Sequence, residues 1–134
     1  MDVETSETLR IAGSEDVVRV RQAVRAQAIA AGFSLVDQTK LVTAASEIAR
    51  NTVDYGGGGN LIIDRVLHGS RRGVRLTFTD EGPGIADVAQ AMADGFSTGS
   101  GLGLGMSGAK RLCNEFFIES KPGAGTKITL IRWK

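Results

Sequence analysis

The chain has 134 residues, 16 Lys and Arg against 15 Asp and Glu, and one cysteine. That length fits one domain around one core. The balanced charge excludes the broad basic surface of a phosphate-neutralising nucleic-acid binder, and a lone thiol excludes an internal disulfide or a cysteine-based zinc site. At 42% hydrophobic and 23% charged, the composition is that of a globular protein rather than a disordered one. No apolar run approaches the ~18 residues of a membrane span. The opening MDVETSETLR is acidic and polar, unlike a secretion signal. The expected location is therefore the cytoplasm, without membrane or nucleic-acid partners. Glycine is the unusual feature: 14 of the 18 glycines fall between Gly56 and Gly108.

Residues 1–7 read as a flexible tail ahead of a single domain over 8–134, with Leu9 and Ile11 alternating as in a short strand. From Ser14 the period becomes helical, placing Val17, Val20, Val24 and Ala28 on one face, and Gly32 suits the helix end. Ser34 and Asp37 resemble a capping pair for a second helix to about Val53, with Leu41, Ala44, Ala45, Ile48 and Thr52 as its stripe. The glycines 56–59 mark a turn or loop. Strand-like runs at 60–67 and 74–80 flank HGSRRG as a hairpin. A short helix at 87–93, a glycine-rich stretch at 95–105 and a long third helix through Ala109, Leu112 and Cys113 follow. Strands at 116–120 and 126–133 close the chain around PGAG. This order predicts an α/β fold, a two-layer sandwich with a mixed sheet and helices on one face.

Four groups of residues carry candidate chemistry. Glu47 and Asn51 are four apart on the second helix, so they stack on one face at the shoulder of the apolar stripe. A carboxylate and an amide there suit a hydrated Mg²⁺, which needs only one or two protein oxygens beside phosphate. A solvated helix face accounts for the same pair. Asp80 shares the parity of Val74, Leu76 and Phe78, so it points inward at a strand end, where a carboxylate needs hydrogen bonds. Gly82 and Gly84 leave room for a flat group. The combination suits an adenine whose amino group donates to Asp80, and a polar turn fits it about as well.

The third group is Gly99, Gly101, Gly103 and Gly105, leading into a helix. Backbone N–H groups bared of side chains ahead of a helix N-terminus suit phosphate. Ser97 and Thr98 add hydroxyls, and the interleaved Leu102 and Leu104 call for burial that a mere linker would not provide. Fourth, Thr126 has the parity of Ile128 and Leu130, which points it inward as Asp80 does, where its hydroxyl can satisfy that carboxylate directly or through a water. The dinucleotide pattern at Gly103, Gly105 and Gly108 lacks the preceding strand it needs, and no Walker loop or protein-kinase signature is present.

Taken in order, E-x-x-x-N, D-x-G-x-G, the glycine lid and the final G-T resemble the GHKL ATP-binding (Bergerat) superfamily over roughly residues 40–128. The stretches ASEIARN, DEGPGI and GFSTGSGLGLGMSGAKRL look closest to the anti-sigma-factor serine/threonine kinases. Within that group YGGGG and DGFST resemble the stressosome switch kinases. The resemblance implies ATP and Mg²⁺ as cofactors, with Asp80, Gly82, Gly84, the 97–105 lid and Thr126 around the nucleotide. It implies Asn51 on the metal and Glu47 as the base for an acceptor hydroxyl. It further implies a STAS-domain substrate protein and a PP2C-type phosphatase as the partner activated downstream. The competing expectation is a nucleotide-dependent binding module, an anti-sigma factor or partner switch without kinase activity. A detached histidine-kinase ATPase domain is disfavoured by the short lid and the absence of a dimerisation helix carrying a histidine.

Overall fold

A computed structural model describes residues 1–84 and 106–134 of the chain. The elements in chain order are β1 (Asp2–Ile11), α1 (Ser14–Ala30), α2 (Leu35–Asp54), β2 (Gly59–His68), β3 (Arg71–Asp80), α3 (Met106–Arg111), β4 (Glu115–Ser120) and β5 (Thr126–Trp133). The expected helix at 87–93 and the glycine-rich segment at 95–105 lie outside the described residues.

Both long helices form for the reasons their sequences suggest. At the start of α1 the Asp16 carboxylate accepts from the backbone N–H of Ala12 (2.8 Å) and of Gly13 (3.2 Å), reaching back to satisfy donors the helix leaves open. Its far end is closed by Gly32 in the left-handed region (φ +84°), where a side chain would be strained. In α2 the Ser34 hydroxyl accepts from the Asp37 N–H at 3.2 Å, the capping pair expected. The anticipated stripes are buried: Val17, Val20, Val24 and Ala28 from α1, and Leu41, Ala44, Ala45, Ile48 and Thr52 from α2.

Four antiparallel pairings build one sheet in the order β1-β2-β3-β5-β4. The two-layer α/β sandwich is as expected, but no adjacent pair among the described strands is parallel, so the pairing is antiparallel rather than mixed. The reason is topological. β4 runs in the same direction as β3, but β5 folds back and inserts between them, so each neighbours only an opposed strand. Leu61 and Ile63 of β2, Val74, Leu76 and Phe78 of β3, and Ile128 and Leu130 of β5 form one core with the three described helices. The helices therefore cover one face. On the other face a smaller cluster of Val66, Ile131 and Trp133 is buried. Arg71 lies 5.3 Å over the Trp133 ring, and the indole N–H donates to Glu115 Oε2 at 2.7 Å.

Three boundaries differ from the sequence reading. Residues 2–7 are not a tail: β1 pairs with β2 from Asp2 opposite Leu67 to Ile11 opposite Gly59. Nearly all of β1 is exposed, so an edge strand with solvent on both sides leaves no alternation to read. Gly59 belongs to β2 rather than to the preceding loop. A Cβ there would lie 1.9 Å from the Thr79 carbonyl oxygen, so the glycine serves close strand pairing. The described part of the third helix stops at Arg111, short of Leu112 and Cys113, which continue it only as a turn bonded to Gly108, Ala109 and Lys110.

Candidate functional site

Alternation along β3 sends Val74, Leu76 and Phe78 into the core and carries Asp80 to the end of the same face. The β3–β5 register then sets Thr126 directly opposite Asp80. Above them lies the last turn of α2, which ends at Asp54 with Tyr55 as its cap, the Tyr55 N–H bonded to the Asn51 carbonyl at 2.9 Å. Between helix and sheet is a cavity of about 310 Å³. Asn51, Thr52, Tyr55 and Gly56 line one side, Asp80, Thr126 and Ile128 the floor, and Pro83, Gly84 and Met106 the rim. The volume is at the lower end of the range for small-molecule sites.

The Asp80 carboxylate is half-buried, and its Oδ1 accepts from the Gly82 N–H at 2.9 Å. A carboxylate held by one backbone donor keeps capacity for a further donor from a ligand. Thr126 does not turn its hydroxyl to Asp80 in the first instance. Its Oγ1 lies 2.9 Å from Ser120 Oγ, which in turn donates to the Gly125 carbonyl at 2.9 Å. The glycines here have a use beyond opening space. A Cβ on Gly82 would lie 2.7 Å from Gly56 Cα, one on Gly84 2.0 Å from the Lys121 carbonyl oxygen, and one on Gly125 2.1 Å from the Asp80 carbonyl oxygen. They allow the 80–84 loop, the α2 end and the β4–β5 turn to meet backbone to backbone. The Gly123 N–H bonded to the Pro83 carbonyl at 2.7 Å locks that junction.

Of the residues singled out from sequence, the fold brings Asn51, Asp80, Gly84 and Thr126 to one cavity. Gly82 stands behind Asp80. Glu47 sits one turn before Asn51 on α2, half-buried and not among the cavity-lining residues. Ser97, Thr98, Gly99, Gly101, Leu102, Gly103, Leu104 and Gly105 lie outside the described residues. Tyr55, Gly56, Thr52, Met106 and Ile128 were not anticipated as lining. The signal for two of them was present, since Tyr55 is one turn after Asn51 and Ile128 shares the parity of Thr126.

Among the described residues no group of three or more His, Cys, Asp or Glu side chains is arranged to hold a metal ion. A cation at this site would have to draw most of its ligands from elsewhere. That suits Mg²⁺, which Asn51 can hold by its side-chain oxygen alongside phosphate oxygens and waters. Away from the cavity, burial pushes the Cys113 thiol up to about 12, leaving it an inert, partly buried hydrophobe. None of the described helices is long and apolar enough to cross a membrane.

The two-layer sandwich thus joins an asparagine from a helix to an aspartate and a threonine paired at strand ends around one cavity. The profile of the histidine kinase-, DNA gyrase B- and HSP90-like ATPases (HATPase_c) matches residues 36–134, and the chain belongs to that family. It is 44% identical over 125 residues to the serine/threonine-protein kinase RsbT of Bacillus subtilis (strain 168), covering 93% of this chain and 94% of that protein. It is also 33% identical over 101 residues to the anti-sigma F factor of Bacillus licheniformis, covering 70% and 68%. A crystal structure of the RsbU and RsbW domains of Rv1364c from Mycobacterium tuberculosis superposes with a TM-score of 0.66. That match covers 97% of this chain but 33% of the solved one, and at 22% identity it speaks for the fold alone.

Proposed function

We propose that this chain is a cytoplasmic serine/threonine protein kinase that transfers phosphate from ATP to a STAS-domain protein in a bacterial partner-switching pathway. The observation that carries the reading is the convergence of Asn51, Asp80 and Thr126 on one cavity between α2 and the sheet, in a chain so similar in sequence and length to the RsbT kinase. Asp80 accepts from the adenine amino group, with Thr126 beside it, while Gly84 and Pro83 border the ring. The 97–105 segment, with its glycines and hydroxyls, supplies the N–H donors for the phosphates. Asn51 holds Mg²⁺, which when bound neutralises charge on the phosphate oxygens.

Glu47 lies one helical turn from Asn51 and so projects toward the same end of the nucleotide. It orients the serine or threonine hydroxyl and accepts its proton as the oxygen bonds to the γ-phosphorus and the bond to the β–γ bridging oxygen breaks, leaving ADP. Simple nucleotide binding gives no use for a carboxylate there, which favours catalysis over a pure binding module. A PP2C-type phosphatase is the partner engaged once the substrate is phosphorylated. The test is incubation with Mg-ATP and candidate STAS-domain proteins, followed by mass mapping. A phosphoserine or phosphothreonine that Glu47→Gln abolishes supports the reading. A partner that is bound but never phosphorylated makes the chain a nucleotide-dependent binding module instead.

A further inference from the structure

Gly56 is the first residue beyond the α2 cap, at the head of a run of four glycines that reads in the sequence as a loose loop. The four are not equivalent. Around Gly57 the space a side chain would enter is open. At Gly56 a Cβ would lie 2.5 Å from Asp80 Cγ, 2.6 Å from Asp80 Cβ and 2.7 Å from Asp80 Oδ2. Real Cβ atoms do not approach so closely, so the aspartate side chain occupies the volume that any other residue at 56 would need. Gly56 is not among the positive-φ glycines, so its backbone would accept an L side chain without strain. The three nearest atoms that a Cβ would meet all belong to Asp80, and it is Asp80 that demands a glycine there.

The geometry points to Gly56 as a positioning residue, its bare α-carbon the wall against which the Asp80 carboxylate is held to read adenine. The carboxylate is fixed from two sides. The Gly82 N–H holds Oδ1 at 2.9 Å, and Gly56 confines the Oδ2 side. The wall is anchored as well: the N–H groups of Tyr55 and Gly56 both donate to the Asn51 carbonyl, at 2.9 and 3.3 Å. The orientation of Asp80 is thus set by the same helical turn that presents Asn51. A side chain at 56 would rotate the carboxylate away from the cavity while leaving the apolar walls intact. This inference rests on the reading of Asp80 as the adenine acceptor.

The experiment compares ATP with purine riboside triphosphate, which lacks only the exocyclic amino group, by calorimetry on wild type and Gly56→Ala. Wild type should prefer ATP by about tenfold or more, the size of a hydrogen bond to a charged acceptor. In Gly56→Ala the preference should shrink to about threefold or less, with affinity for the analogue kept. A general loss of folding would lower both affinities together. If wild type itself does not discriminate, the adenine reading of Asp80 fails. If wild type discriminates and Gly56→Ala does so equally, Gly56 has no positioning role.

Should Gly56→Ala fold poorly, urea midpoints decide. The alanine should cost stability beside Asp80 and none in an Asp80→Gly background, where all three clashing atoms are gone. Equal costs in both backgrounds would overturn the assignment.

Discussion

Asp80, Asn51 and Glu47 divide the proposed work, and single substitutions separate their roles. Asp80→Asn keeps size but adds a donor where the adenine amino group needs an acceptor. ATP affinity should fall about 10- to 100-fold by calorimetry in a folded variant. GTP should bind far more weakly than ATP to wild type, because guanine presents a carbonyl to the same carboxylate. Glu47 does not line the cavity, so Glu47→Gln should retain ATP and partner binding while phosphotransfer drops by roughly 10²–10⁴-fold in a radiolabel assay. Transfer at the wild-type rate would remove Glu47 as base. Asn51→Ala should lower both Mg-ATP affinity and transfer, since it removes a metal ligand. Cys113, with its thiol pushed up to about 12, should resist iodoacetamide at neutral pH until the chain is unfolded.

At the scale of elements, two aspartates tie the helix starts to the rest of the molecule. Hydrogen bonds from the Ala12 and Gly13 N–H groups, then Arg19, hold the Asp16 carboxyl below its ordinary value. Asp37 is lowered by the Arg132 guanidinium, whose Nη2 donates to it at 2.6 Å, and by the Ser34 hydroxyl. Arg132 also donates to the Leu112 carbonyl at 2.7 Å, so one guanidinium joins α2, β5 and the turn after α3.

Because the native carboxyls bind protons less readily than the unfolded ones, the unfolded chain takes up more protons near pH 4. Stability from these groups is therefore present above the unfolded value of about 3.8. It is lost as pH falls through the lower folded values. The urea midpoint should stay level between about pH 7 and pH 5, then drop, and Asp16→Asn with Asp37→Asn should flatten that drop. Ser34→Ala, which removes the α2 cap, should cost about 1 kcal/mol.

The elements were legible in proportion to how one-sided their burial is. α1 and α2 press one stripe onto the sheet, so their period of 3.6 stands out. β3 and β5 send Val74, Leu76 and Phe78, and Ile128 and Leu130, into the core at alternate positions, although Ile131 and Trp133 are buried on the other face of β5. β1 has neither, and its first seven residues carry no burial pattern at all. Gly59 was hidden for a different reason, since a strand glycine chosen for close pairing looks the same in a sequence as a loop glycine.

Across the whole molecule the sheet has two working ends. The proposed nucleotide cavity sits where β3 ends and β5 begins, while Trp133 packs at the opposite end, on the face that none of the described helices covers. A Cβ on Gly73 would lie 2.6 Å from Trp133 Cε3. Gly73→Ala should therefore destabilise the fold by about 1–3 kcal/mol through overpacking. ATP affinity in the folded fraction should be unchanged, because the two ends share no side chains. A large loss of affinity would mean that strain travels along β3.

What the sequence by itself determined is the local chemistry: which helix face is buried, that Asp80 and Thr126 point inward, and that Glu47 and Asn51 share a face. Each follows from a period of 2.0 or 3.6 acting over a few residues. The tertiary structure alone decided what meets across the chain. It set β5 between β3 and β4, brought Thr126 opposite Asp80, and pressed Gly56 against the Asp80 carboxylate. The contacts of Asp80 with Gly56 and Thr126 join residues that are 24 and 46 positions apart. No local period encodes them, because they depend on strand order and on the closest distance at which two backbones can pack.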